Sequence, residues 1–351
     1  MPLLEVNDLV KHFQLPGARL PWARESRRRA VRAVDGVSFA MAPGETLGLV
    51  GESGCGKTTL GYMLMGLIKP TAGQMIFGGQ DVTSPSRAQR RELRRFIQII
   101  FQDPFSSLDP RQKIADIIRE PLDIHGIGTR EQRRQRVAEL MERVALSQHH
   151  ADRYPHELSG GLRQRVGIAT ALALGPKLII ADEPTSALDA SVQAEILNLL
   201  ADVQRDIGVA YLFISHNLDA VRYLSQRVAV MYLGKIVEVG PVNRVYRNPQ
   251  HPYTRALLAD IPVPDPTVTP EGAPLTGEVP SPIDVPAGCP FHPRCWLAQD
   301  ICRSVPPPLL AYEPDHLATC HVTAAEHGLG LLVTTHEREE ASTQRICRYT
   351  R

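Results

Sequence analysis

The amino-acid sequence predicts an α/β fold in which helices cover both faces of a parallel sheet. Continuous apolar runs at residues 47–50, 178–181 and 209–214 have the length and composition of buried parallel strands. Segments 58–68 and 190–203 place their apolar residues at helical spacing. Alternation of such strands and helices over the first 240 residues is typical of a parallel α/β core.

Composition narrows the class of protein. The chain has 351 residues, 43% of them hydrophobic, which suffices for two domains with a real core. Its formal net charge of +1 disfavours a general nucleic-acid binder and an acidic disordered chain. No apolar run approaches the roughly 18 residues that span a bilayer, and the first residues lack the pattern of a secretory signal. We therefore expect a cytosolic protein.

Two regions depart from the alternating pattern. Residues 87–150 are rich in arginine and helical in pattern without clear strands, so we predict a helical insertion there. More than half of the 29 prolines lie between Pro241 and Pro314, and every cysteine except Cys55 follows residue 288. Prolines at 262–270 predict a stiff connector. We thus divide the chain into a domain at 1–240 and an irregular, proline-rich accessory region at 241–351.

A phosphate-binding loop follows the first predicted strand. Residues 51–58 (GESGCGKT) match the pattern GxxxxGK[ST] between a strand and a helix, where the backbone can cradle phosphates. We expect Lys57 to neutralise phosphate charge, Thr58 to ligate Mg²⁺, and Cys55 to be a small filler. The residues assigned to nucleotide binding here are Gly51, Ser53, Gly54, Cys55, Gly56, Lys57, Thr58 and Thr59.

An acidic pair ends the strand predicted at residues 178–181. Asp182 is placed to hold Mg²⁺ beside the phosphate loop, and Glu183 projects one residue further, where it can polarise an attacking water. Together with the loop, this pair predicts a P-loop nucleoside triphosphatase.

Further motifs resemble those of ABC ATPases, in that family's order, over residues 5–240. Residues 158–161 (LSGG) followed by RQR resemble the signature motif, although Leu162 stands where the common signature carries Gln. The resemblance implies a cassette with a parallel-sheet core, an antiparallel β subdomain, and a helical subdomain at about 87–165. It also identifies Phe13 as the adenine-stacking aromatic, Gln102 as the Q-loop residue, Asp189 as part of the D-loop and His216 as the switch histidine.

The resemblance implies a head-to-tail pair of cassettes. ATP would lie between the phosphate loop of one subunit and Ser159, Gly160 and Gly161 of the other. Glu183 would act as the general base and His216 would contact the γ-phosphate. Asp189 would communicate across the interface, while Gln102 would ligate Mg²⁺ and transmit closure to a membrane partner.

The segment 248–254 (NPQHPYT) is followed by 288–295 (GCPFHPRC), Cys302 and Cys320, and this C-terminal pattern resembles that of oligopeptide and dipeptide permease ATPases. The segments 101–111 (FQDPFSSLDPR) and 154–161 (YPHELSGG) are similar to those of the second ATPase of such importers. The resemblance implies peripheral attachment to the cytoplasmic face of the inner membrane. The implied partners are a second ATPase subunit in a heterodimer, two transmembrane permease subunits and an extracytoplasmic substrate-binding protein, with no nucleic acid.

Other functions remain open at this point. The same machinery can carry nickel or glutathione, since the cargo is chosen by other subunits. A soluble ABC ATPase acting on DNA or ribosomes usually has coiled-coil insertions or tandem cassettes, and this chain has neither. A regulatory module without turnover is disfavoured because Glu183 and His216 are both present.

The late cysteines predict a metal site at about 286–322. Cys289, Cys295, Cys302 and Cys320 cluster in a segment unable to bury a large core, where a metal would serve as a staple. The resemblance favours a [4Fe–4S] cluster on these four thiolates. Zinc with Cys289 and His292 in its ligand set is one alternative, and four unligated buried thiols are another. Cys347 is not expected to be a ligand.

Overall fold

The computed structural model describes residues 1–15, 30–103, 107–261, 275 and 277–329. It confirms the predicted α/β architecture, in which a large mixed sheet and a smaller antiparallel sheet carry the helices. The predicted connector at 262–270 and Cys347 lie outside the described residues. No helix of the described part is long and apolar enough to cross a membrane.

The large sheet has eight strands. Its central strand, β3 (Thr46–Val50), is parallel to both neighbours, β8 (Ala210–Ile214) and β9 (Arg227–Tyr232). On the far side of β8 follow β7 (Leu178–Asp182) and β6 (Ile97–Ile100), also parallel. Strands β3, β7 and β8 are buried along their whole length, which explains their continuous apolar sequences. Their carboxyl ends meet at one edge, where the phosphate loop and the acidic pair leave the sheet.

The small sheet is antiparallel and packs beside the phosphate loop. Its strands are β1 (Leu4–Gln14), β2 (Ala30–Met41), β4 (Ala72–Phe77) and β5 (Gln80–Asp81), in the order β2-β1-β4-β5. This sheet brings the end of β1, with Phe13, next to the start of β2.

The helices lie in two groups. The first packs on the large sheet and consists of α1 (Lys57–Leu64), α2 (Arg87–Phe96), α5 (Gly160–Leu172), α6 (Ala190–Ile207) and α7 (Leu218–Leu224). The second builds the helical region and consists of α3 (Ile114–His125) and α4 (Arg130–Arg143). Helix α4 begins with a capping box formed by Thr129 and Gln132, which satisfies two N–H groups at its start.

One sequence prediction is wrong in this region. Residues 87–150 contain a strand, β6, which pairs in parallel with β7 from Ile97 opposite Leu178 to Ile100 opposite Ala181. This strand has only four residues and directly follows the arginine-rich helix α2, so the sequence pattern did not indicate it. Ile97 and Ile100 are buried because they belong to the large sheet rather than to a helical insertion.

The C-terminal region extends the large sheet. Strand β10 (Lys235–Pro241) pairs antiparallel with β9 and with β12 (His316–Ala318), and β11 (Leu310–Glu313) forms the edge. Short helices accompany it: α8 (Val242–Arg247), α9 (Pro252–Ala259), α10 (Asp300–Ser304) and α11 (His321–Glu326). The core on one face of the sheet therefore continues from the cassette into the cysteine-bearing segment, where Cys289, Phe291 and Cys302 belong to it.

Candidate functional site

The phosphate loop is shaped by glycines that no other residue replaces without strain. Gly56 has φ +110°, and a Cβ there would lie 1.9 Å from the Ala33 carbonyl oxygen. Gly51 has φ +151°, and its Cβ would lie 2.1 Å from the Met231 carbonyl oxygen. The loop therefore packs directly on neighbouring backbone, and it ends at the N-terminus of α1, where a helix favours an anion.

Lys57 is held inside the loop. Its Nζ donates to the carbonyl oxygens of Gly51 at 2.7 Å and Glu52 at 3.0 Å, and the residue is only 6% exposed. The Cys55 thiol lies 3.8 Å from the same Nζ, and burial raises its pKa. Cys55 is thus a buried neutral side chain that fills the loop, as the sequence indicated.

Thr58 and Asp182 meet across the sheet edge. The Thr58 hydroxyl donates to the Asp182 carboxylate at 3.2 Å, which joins the phosphate loop to the end of β7. Burial raises the pKa of Asp182, and the neighbouring Glu183 charge raises it further, while Thr58 and Lys57 lower it. A carboxylate in this setting is stabilised by any cation that binds beside it.

Glu183 forms the centre of a polar cluster with Gln102 and His216. The Gln102 Nε2 donates to Glu183 Oε2 at 2.9 Å, and the His216 Nδ1 lies 3.2 Å from the same oxygen. Glu183 has φ +46°, and its N–H donates to the Ile214 carbonyl at the end of β8. A non-glycine residue in the left-handed region costs energy, and such strain concentrates at functional sites.

A cleft of about 550 Å³ opens between the two sheets above this cluster. From the sequence-predicted set, the residues lining it are Phe13, Ser53, Gly54, Gly56, Lys57, Thr58, Thr59, Gln102, Glu183 and His216. Phe13 is 39% exposed, and the Lys11 ammonium lies 4.9 Å from its ring centroid. The aromatic ring and the phosphate loop thus lie along one cleft, the arrangement that a nucleoside triphosphate requires.

The sequence analysis missed two contributions from the C-terminal region. Pro282 lines the same cleft, and its carbonyl accepts a hydrogen bond from the Arg32 N–H at 3.0 Å. Arg294 and Tyr253 both contact Glu52 of the phosphate loop. Although Tyr253 lies in the segment 248–254, no sequence pattern indicated these contacts, because the partners are about 200 residues or more away along the chain.

The signature residues do not line this cleft in the described part of the chain. Ser159 begins α5 and its hydroxyl accepts from the Leu162 N–H. A Cβ on Gly161 would lie 2.5 Å from Val192 Cγ1, so the signature helix packs closely on α6. Asp189 immediately precedes α6 and is not among the residues that line the cleft. The signature motif is therefore not part of the cleft that the phosphate loop of the same chain lines.

The four late cysteines converge on one small cavity. Cys289, Cys295, Cys302 and Cys320 line it together with His292 and His321. Burial raises the pKa of Cys289 to about 12 and of Cys295 to about 11, and the other thiols of the group add to both shifts. Within the described residues, no group of three or more His, Cys, Asp or Glu side chains is arranged to hold a metal ion.

The fold and the cleft together define an ATP-binding cassette. A family profile described as ABC transporter matches residues 34–186, and one described as oligopeptide/dipeptide transporter, C-terminal region, matches residues 237–302. A dimeric ATP-binding cassette solved in a post-hydrolysis state with ADP and phosphate matches with a TM-score of 0.60 and 26% identity, covering 68% of this chain and 98% of that one.

Curated relatives narrow the class to one family. The oligopeptide transport ATP-binding protein AppF of Bacillus subtilis is 48% identical, over 91% of this chain and 97% of its own length. The di/tripeptide transport ATP-binding protein DppF of Pseudomonas aeruginosa is 46% identical, over 93% and 99%. The chain belongs to the family of ABC transporter ATPases of the oligopeptide/dipeptide type.

Proposed function

We propose that this ATPase energises the import of di- and oligopeptides through separate transmembrane subunits. The observation that carries the catalytic part is the Glu183 carboxylate, which Gln102 and His216 contact at the mouth of the phosphate-loop cleft. The peptide cargo is supported by the relatives' names and by the C-terminal profile match.

Residues of the loop and of β7 bind the substrate. The Lys57 ammonium neutralises charge on the β- and γ-phosphates, and the loop amides of residues 51–58 surround them. Thr58, Asp182 and Gln102 are the oxygen donors that fit Mg²⁺, and their chemistry suits a hard cation. When bound, Mg²⁺ neutralises phosphate charge during transfer.

Glu183 acts on the attacking water. Its carboxylate is largely shielded from solvent and held by Gln102, so it can orient a water and accept its proton. His216, which contacts the same carboxylate oxygen and is 61% exposed, is available to the γ-phosphate. Phe13 stacks on the adenine base at the other end of the cleft.

The separate positions of the two motif surfaces support a composite site. Ser159, Gly160 and Gly161 of a second ATPase subunit complete the cleft, and Asp189 lies at the interface. The second ATPase is a different chain, so the pair is a heterodimer. Two permease subunits, contacted through the Gln102 segment, hold the pair at the cytoplasmic face of the inner membrane, and an extracytoplasmic binding protein delivers the peptide. Residues 1–240 form the catalytic unit and 241–351 the accessory one.

The four cysteines have the number and chemistry that an iron–sulfur cluster needs, although no three of the described His, Cys, Asp or Glu side chains surround a metal position. Four thiols line one cavity, and at neutral pH thiols with raised pKa ionise only when a cation compensates the charge. Cys289, Cys295, Cys302 and Cys320 would hold a [4Fe–4S] cluster, which would supply that charge and staple the segment. Iron analysis and visible absorption of anaerobically purified protein test this assignment. Bound zinc, or no metal, contradicts it.

The catalytic proposal is tested by Glu183→Gln in the assembled complex. We expect ATP binding to persist while hydrolysis falls about 100-fold or more, since the base is lost. Glu139→Gln is the matched control, because Glu139 is half-exposed and contacts Gln135 and Arg136 of its own helix. Unchanged turnover in Glu183→Gln removes this residue from catalysis.

The cargo is tested by reconstitution into proteoliposomes with the permease subunits and the binding protein. Peptide uptake that depends on ATP supports the proposal. Uptake of nickel or glutathione in place of peptides would identify that solute as the cargo. A rate of ATP hydrolysis that the membrane subunits do not change would favour a soluble ATPase.

A further inference from the structure

The phosphate loop is attached to the C-terminal region by an ion pair. Both terminal nitrogens of Arg294 donate to the Glu52 carboxylate, one to each oxygen, at 2.7 and 3.0 Å. The Arg294 side chain is only 4% exposed and that of Glu52 is 24% exposed. Two parallel hydrogen bonds from a planar guanidinium fix the orientation of the carboxylate as well as its position.

A second contact holds the backbone of the same residue. The Tyr253 hydroxyl accepts a hydrogen bond from the Glu52 N–H at 2.9 Å. The Glu52 carbonyl oxygen in turn accepts from Lys57 Nζ at 3.0 Å. Glu52 is therefore held by its side chain, its N–H and its carbonyl, and the last of these contacts reaches the lysine that faces the phosphates.

The groups that hold Glu52 are buried and packed against aromatic rings. Tyr253 is completely buried and packs with Tyr232 and Phe291, whose ring centroids lie 4.6 and 5.4 Å from its own. Arg294 ends a short 3₁₀ turn directly before Cys295, and its guanidinium carbon lies 6.0 Å from the centroids of Tyr232 and Phe291. The cysteine-bearing segment therefore determines where Arg294 stands.

We propose that Arg294 and Tyr253 are positioning residues of the ATP site, which keep the phosphate loop in its nucleotide-binding geometry from outside the cassette. The inference rests on the proposed ATPase function and deepens it. Pro282, which lines the cleft from the same region, supports the same conclusion because it gives that region a second point of contact with the nucleotide site.

The test compares ATP binding by the full chain and steady-state ATPase kinetics of the assembled complex. The variants form a double-mutant cycle that consists of Arg294→Gln, Glu52→Gln and the double variant. Each single change breaks the same contact. We expect each single variant to weaken ATP affinity about five- to tenfold, with a matching rise in KM and little change in kcat. The double variant is expected to be no weaker than either single one.

Two further variants separate positioning from stability. Tyr253→Phe removes one hydroxyl from the buried ring and is expected to weaken ATP affinity about threefold with little change in the unfolding temperature. Arg294→Lys, which keeps the charge without the paired geometry, is expected to lie between wild type and Arg294→Gln. Arg244→Gln is the control, since Arg244 binds Glu313 and the Pro314 carbonyl in the C-terminal region and does not contact the loop.

The outcomes are distinguishable. If Arg294→Gln and Tyr253→Phe bind ATP as wild type does, or if the Arg294 and Glu52 effects simply add, the positioning role is wrong although the wild-type complex hydrolyses ATP. If the wild-type complex neither binds nor hydrolyses ATP, the proposed function itself fails.

Discussion

The His316 Nε2 atom lies 2.7 Å from Oε1 of Glu238, and both side chains are completely buried. The same carboxylate accepts hydrogen bonds from the backbone N–H groups of Gln250 and His251, each at 2.8 Å. One side chain of β10 thus joins the segment before α9 and the strand β12. This carboxylate is a structural link between the cassette's sheet and the C-terminal region.

Glu238→Gln is expected to destabilise the protein strongly. The glutamine side chain has an NH₂ group where the carboxylate has an oxygen, so one of the buried donors loses its acceptor. We expect the free energy of unfolding to fall by about 3 kcal/mol. Urea unfolding followed by circular dichroism measures it. Glu313→Gln, which removes a half-exposed pair with Arg244, is expected to change stability by less than about 1 kcal/mol. Equal effects from the two changes contradict the assignment.

Gly56→Ala is expected to abolish ATP binding. The new methyl group would lie 1.9 Å from the Ala33 carbonyl oxygen, so the loop must move. Gly126→Ala is the matched comparison, because Gly126 also has positive φ, its Cβ would meet open space, and it is not among the residues that line the cleft. It is expected to cost only about 1 kcal/mol of strain. Binding of a fluorescent ATP analogue decides between them, and comparable affinity in both variants contradicts the packing argument.

Asp182→Asn is expected to separate stability from magnesium binding. Burial raises the native pKa of Asp182 above its ordinary value, so the unfolded state holds fewer protons on this group near that pKa. The ionised carboxylate therefore destabilises the metal-free fold at neutral pH, and that destabilisation declines as the pH falls through the raised pKa and is gone below the ordinary pKa of an aspartate. In the absence of Mg²⁺, we expect the unfolding temperature of Asp182→Asn to be no lower than that of wild type.

The same variant is expected to lose the stabilisation that Mg²⁺ adds to ATP. Thermal shifts with ATP alone and with Mg²⁺-ATP measure this difference. Asp206→Asn, at the exposed end of α6, serves as the control. If Asp182→Asn retains the full magnesium-dependent shift, Asp182 is not a ligand.

The thiols of iron-free protein are expected to react slowly at pH 8. With pKa values of about 12 for Cys289 and about 11 for Cys295, less than about 1% of either thiol is ionised there. Alkylation by iodoacetamide, followed residue by residue by mass spectrometry, should accelerate as the pH rises. The urea-unfolded chain provides the reference rate, and native thiols that match it contradict the buried arrangement.

Local motifs made much of the site predictable. The phosphate loop, the acidic pair after β7 and His216 after β8 each lie next to a strand that is continuous in apolar sequence. Because parallel strands expose their carboxyl ends at one edge, Lys57, Asp182 and Glu183 were expected to meet, and Thr58 contacts Asp182 as a result. Their catalytic roles stay predictions until the variants are measured.

Other features were out of reach of the sequence. Strand β6 was missed because four residues after an arginine-rich helix carry little periodicity, and pairing with β7 decides their conformation. The division at residue 240 stays a prediction, although β12 pairs with β10 across it. Whether the cysteines bind a metal depends on how their side chains pack around one cavity, which their spacing along the chain does not determine.

The sequence by itself determined the nucleotide chemistry of this protein, since a strand, a glycine loop and a helix N-terminus form a phosphate site within a few consecutive residues. Only the tertiary structure decided that the C-terminal region takes part in that site. Arg294 reaches Glu52 across 242 positions and Tyr253 reaches it across 201. Such contacts follow from strand pairing and core packing, which bring distant segments together and leave no spacing to read along the chain.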